Sequence, residues 1–159
     1  MTTKNTDLVA NFEATPPVLN NAAELAGVVR TAHGSVELAA GDSTDNDIVM
    51  LAPIPSNAAV TQLFVGSDTL GGSCTFNVGL YKTDGTVKDE DVFASSVADA
   101  AALTDVRFEA ANIDTAGKKM WELAGDSSDP GGYYYVAATM AADGQTAGTM
   151  SWNISYVVN

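Results

Sequence analysis

The chain has 159 residues, 46% of them hydrophobic, and its 7 basic and 20 acidic side chains leave a net charge of −13. That length fits one domain with an appendage, and the acidity argues against nucleic acid and anionic membranes, both of which need Lys and Arg to meet their phosphates. A single cysteine, Cys74, excludes an intramolecular disulfide.

Residues 1–33 are rich in Thr, Asn and Ala, carry Pro16-Pro17 and show no clean alternation. They read as an extended arm, with Asn20 capping a short helix through Leu25 that ends at Gly27. Leu8, Val9, Phe12, Val18 and Leu19 are its scattered apolar residues. No apolar run there has the length of a secretory signal core, and no stretch approaches a transmembrane helix. The sequence therefore reads as a soluble protein that is not exported by the general route.

From Gly34 the pattern turns to strands. Residues 34–40 form one, followed by the turn cluster G-D-S-T-D-N-D. Residues 48–55 are a short apolar strand stopped by Pro53 and Pro55, and residues 59–66 are another. In C-T-F-N-V-G-L-Y, Cys74, Phe76, Val78 and Leu80 share one face, because strand side chains alternate. Asp84-Gly85 then supplies a tight hairpin turn. Residues 87–105 read as a long connection or one with a helical turn at Asp99–Leu103, and V-R-F-E-A (106–110) reads as a strand. A-G-K-K-M-W-E-L-A-G is a short helix with Met120 and Leu123 facing inward and Gly125 just past its end. Residues 133–141 and 149–158 are the strongest strands, and Met150, Trp152, Ile154, Tyr156 and Val158 share one face of the last. About eight strands at short, regular spacing predict an all-β fold, an antiparallel sandwich of jelly-roll-like kind. The division is an N-terminal arm, 1–33, and a sandwich domain, 34–159.

Chemistry finds few footholds. His33 is the only histidine, no G-x-S-x-G elbow accompanies it, and it reads as a surface or capping residue at the arm's junction. One Cys and one His do not close a zinc site, and no phosphate-binding glycine motif occurs. Cys74 reads as a small buried hydrophobe. The acidic groups Asp42/Asp45/Asp47, Asp89/Glu90/Asp91 and Asp126/Asp129 read as solvated turns, calcium being the alternative, and the calcium-loop spacing is absent. A glycosidase pair drawn from them is the weakest reading. Tyr133, Tyr134, Tyr135 and Trp121 read as packing residues, or as a sugar-stacking platform. The chain reads as a module for binding or building, not an enzyme, with no cofactor and no metal.

The segments D-G-T-V-K-D-E-D-V-F-A-S-S-V, G-K-K-M-W-E-L-A-G and Y-Y-Y-V-A-A-T-M-A-A-D-G-Q-T-A-G-T-M-S-W-N-I-S-Y-V-V resemble small virion-associated proteins of tailed bacteriophages. Some of these are head decoration, or cement, proteins built on sandwich or jelly-roll domains. The resemblance spans roughly Gly34 to Val158 and brings no residue-level site with it. It implies a capsid decoration protein, made in the host cytoplasm and bound to the outer surface of the virion. Its partner would be the major capsid protein, and it would form a dimer or trimer. Residues 1–33 lie outside the resemblance. On physical grounds Leu8, Val9, Phe12, Val18 and Leu19 are candidate capsid-binding anchors. The alternative is a sugar-binding virion module, part of a tail fibre or a capsid-surface adhesin.

Overall fold

The computed structural model describes residues 4–20, 25–99 and 102–158. The chain runs α1 (Asp7–Glu13), β1 (Val29–Leu38), β2 (Ile48–Pro55), β3 (Ala58–Ser67), β4 (Thr75–Lys82), β5 (Val87–Ala98) and β6 (Thr104–Asp105). It continues through a 3-10 turn at Ile113–Thr115, α2 (Met120–Leu123), β7 (Tyr133–Ala142) and β8 (Gly148–Val158). Two four-stranded antiparallel sheets, ordered β1-β8-β3-β6 and β2-β7-β4-β5, face each other. From β1 to β4 and from β5 to β8 consecutive strands alternate between the two sheets, while β4 and β5 are neighbours in one sheet.

Period-two alternation builds the core. Val36 and Leu38 of β1, Leu63 and Val65 of β3, and Met150 and Ile154 of β8 point in from one sheet. Phe76, Val78 and Leu80 of β4 meet them from the other, with Val136, Ala138 and Met140 of β7. Cys74 joins this core at 1% exposure. β1 pairs with β8 along its whole length, Val29 opposite Val157 through Leu38 opposite Gly148, without a bulge. Gly34 lies opposite Trp152, and a Cβ there would come within 2.8 Å of the indole ring. The expected boundary between residues 33 and 34 thus falls inside β1, and the first strand of the sandwich begins at Val29.

The β4–β5 hairpin forms at Asp84-Gly85: Gly85 has φ +86°, and the Thr86 amide donates to Asp84 Oδ1 at 2.8 Å. Its return strand departs from the expected connection. β5 is twelve residues long and strongly bulged, with 89 to 94 spanning only 78 to 80 of β4. The bulge lays the backbone of Asp89 and Glu90 over Gly79, where a Cβ would collide with both. A second irregularity near Ser96 (φ +56°) is held by Asn77, whose Oδ1 accepts the Ser96 amide at 2.8 Å. The V-R-F-E-A segment is a turn rather than a strand, and the short β6 pairs instead through Thr104 and Asp105. The helix expected up to Leu25 and the helical turn at 99–103 rest on residues outside the described ones. α2 forms as expected. Its buried Met120 packs in the core, Glu122 Oε2 accepts the Lys119 amide at 2.8 Å, and Gly125 follows at φ +73°.

Candidate functional site

The arm is folded on itself. Asp7 opens α1, where an acidic side chain suits the helix dipole, and Pro16-Pro17 bar its continuation. The chain then turns back beside the helix. The Val18 amide donates to Asn11 O at 3.0 Å, Asn11 Nδ2 donates to Asn20 Oδ1 at 2.8 Å, and Asn20 Nδ2 donates to Leu8 O at 3.1 Å. The result is a hook whose two limbs are stapled by two asparagines.

The hook treats the five anchors unequally. Leu8 is half-buried and reaches a cleft of about 410 Å³ on the sandwich, lined by Ala59, Val60, Thr61, Phe108, Ala116 and Gly117. The other four remain exposed, with Phe12 at 77% and Leu19 at 96%. Leu8, Val9 and Phe12 fall on one side of α1 at i, i+1 and i+4 spacing. Burying four more apolar side chains would add to any contact the arm makes.

The cleft floor rests on Arg107, which is fully buried. Its Nε donates to Val60 O at 2.9 Å and its Nη2 to Thr115 O at 3.1 Å. The guanidinium lies between two rings, 5.1 Å from the Phe93 centroid and 4.5 Å from that of Phe108. Asp105 uses its carboxylate for the backbone, accepting the Arg107 amide at 3.0 Å and the Leu63 amide at 3.2 Å. Burial pulls the guanidinium down to about 10, against the nearby charge of Asp105, so it stays protonated at neutral pH. Carbonyls and ring faces thus replace its water. The alternation in V-R-F-E-A hides this residue. The lone Arg flanked by Val106 and Phe108 was the available signal.

The acidic groups serve the turns. Asp42 accepts the Ala39 amide at 3.0 Å, and Asp47 accepts the Thr44 amide at 2.8 Å and its hydroxyl at 2.6 Å. Asp126 pairs with Lys88 at 2.7 Å and accepts the Tyr134 hydroxyl. Among the described residues no three His, Cys, Asp or Glu side chains converge as a metal site would require. The tyrosines divide: Tyr134 is in the core, while Tyr133 is 55% exposed beside a cleft with Lys82, Asp84, Asp126, Pro130 and Gly131. Trp121 packs against the core instead of joining them. His33 is exposed in mid-β1, opposite Asn153, away from the junction expected for it.

No family model matches the sequence, and no curated protein matches it significantly. Solved structures do. A chain of the cyanophage Pam1 capsid asymmetric unit superimposes with a TM-score of 0.51 at 17% identity, over 84% of this chain and 86% of that one. The sandwich is shared with a phage capsid chain. A chain of the acidic stable capsid of Helicobacter pylori bacteriophage KHP30 covers 82% of this chain and 94% of its own, at 13% identity. Its TM-score of 0.39 is too low to add weight.

Proposed function

We propose that this chain is a structural virion protein, a decoration or cement protein that binds the outside of a phage head and stabilises contacts between major capsid protein subunits. The observation that carries the reading is the preformed hook. Four exposed apolar side chains, Val9, Phe12, Val18 and Leu19, stand on a segment already ordered by its own hydrogen bonds. Pre-ordering lowers the entropy cost of docking. The shared sandwich with a cyanophage capsid chain supports the same reading. The charge of −13 also favours the outer face of a shell over the side that meets packed DNA. Nothing in the proposal calls for catalysis.

The test is co-sedimentation with empty phage shells stripped of this protein. The full chain is compared with a version beginning at residue 25, which leaves β1 whole. Saturable binding at a fixed ratio to capsid subunits is expected for the full chain, and loss of binding without the hook places the grip there. Absence of binding by both forms at every salt concentration would sink the reading. Exposed Tyr133 above its polar cleft favours the second reading, a sugar-binding virion module. That reading requires glycan-array binding that disappears in Tyr133→Ala.

A further inference from the structure

The four sheet edges are not treated alike. An unpaired edge offers its N–H and C=O groups to any passing strand, and proteins blunt such edges with prolines, bulges or shortness. Edge strand β2 carries Pro53 and Pro55 and a bulge between Met50 and Ala52. Edge strand β5 is bulged repeatedly against β4, and edge strand β6 has two residues. β1 has none of these devices. It is ten residues long, contains no proline, keeps unbroken register with β8, and pairs with no other strand among the described residues.

A groove of about 430 Å³ adjoins this open edge, between β1 and β2. Val36 and Leu38 line it from β1, with Ile48 and Met50 of β2, which are 44% and 40% exposed. Glu37, Asp42 and Asp47 make it acidic. A strand added to β1 would project its core-side residues into this groove, so the best occupant is apolar with a single basic residue. β1 itself fits. By alternation with Ala32, Val36 and Leu38, Arg30 stands on the core-side face, and it is exposed at the edge.

We infer that β1 is a self-pairing edge, joining antiparallel to β1 of a second copy to make one continuous sheet across a two-fold axis. Opposed residues must share a face, which allows two central registers. A two-fold at His33 sets Arg30 opposite the partner's Val36, Thr31 opposite Ser35 and Ala32 opposite Gly34. A two-fold at Gly34 sets Arg30 opposite Leu38, Ala32 opposite Val36 and His33 opposite Ser35. In both registers Arg30 of each copy meets a residue that lines the other's acidic groove. The pairing holds whether or not the chain binds a phage shell.

Sedimentation equilibrium of the full chain is expected to show a concentration-dependent species of twice the 16.4 kDa chain mass. Arg30→Glu should weaken its association about tenfold or more, since it sets a carboxylate against the partner's acidic groove. Crosslinking reads the geometry without disturbing the core. In a Cys74→Ser background, His33→Cys should crosslink to itself if the axis is at residue 33. If the axis is at 34, His33→Cys should crosslink to Ser35→Cys in a mixture. A monomer at every concentration overturns the inference. So does a dimer that neither crosslinks at these positions nor responds to Arg30→Glu.

Discussion

A guanidinium removed from water needs acceptors and ring faces in place of the lost water. Arg107 manages this with Val60 O, Thr115 O and two phenyl faces. Arg107→Ala would strand both carbonyls and open a void between Phe93 and Phe108, so a loss of about 3 kcal/mol in urea unfolding is expected. Arg107→Lys should recover only part of this, since an ammonium does not stack or fork as a guanidinium does. A result within error of the parent would show that the contacts are dispensable. Gly79 makes a separate demand. The backbone of Asp89 and Glu90 occupies the space of its missing side chain, so Gly79→Ala must push the β5 bulge away. A loss of about 2 kcal/mol or more is expected, by the same measurement.

Elements differ in how openly the sequence displays them. β2, β3, β4, β7 and β8 lie within a residue or two of their expected places, because each presents apolar residues to the core along most of its length. β5 does not, since its bulges insert residues and scramble the alternation of K-D-E-D-V-F-A-S-S-V. V-R-F-E-A errs the other way, alternating by type while its Arg turns inward. The pairings themselves were hidden, because β1 meets β8 and β3 meets β6 through contacts distant in sequence. At the candidate site the apolar side chains of the arm were visible in the sequence. The asparagine staples and the Leu8 cleft were not, since both depend on the chain returning on itself. Leu8 lines the cleft on the sandwich while Val9, Phe12, Val18 and Leu19 are exposed, so the chain beginning at residue 25 should keep its fold. Calorimetry should show a melting temperature within about 3 °C of the full chain, corresponding to about 1 kcal/mol. A much larger drop would mean that the arm is integral to the core.

The whole molecule carries its charge on turns that depend on it. Asp47 is held below the usual carboxylate range by the Thr44 hydroxyl and amide, and Asp84 by the Thr86 amide. Lys88 and then Tyr134 lower Asp126, and Ser56 and Gly131 lower Asp129. A carboxylate depressed in the folded state contributes stability above its unfolded pKa, and that contribution is lost as pH falls through the folded value. Asp89 runs the other way, raised by burial and then by Asp91, so its protonation favours the fold. Stability should therefore vary little from neutrality down to about pH 5 and fall below about pH 4, as four depressed carboxylates outweigh one raised one. A steep loss already at pH 6 would contradict this balance.

The ten-residue match of β1 with β8 also imposes an order in time. A ribosome makes β1 well before β8, its partner among the described residues, and β3 likewise pairs with β8. Until residues 148–158 emerge, the sheet lacks the strand that joins β1 to β3. The sandwich can close only after β8 has been made, and such long-range closure is slow. During that wait the acidic surface keeps unfinished chains apart. The last eleven-residue strand is thus the one that commits the chain to its fold.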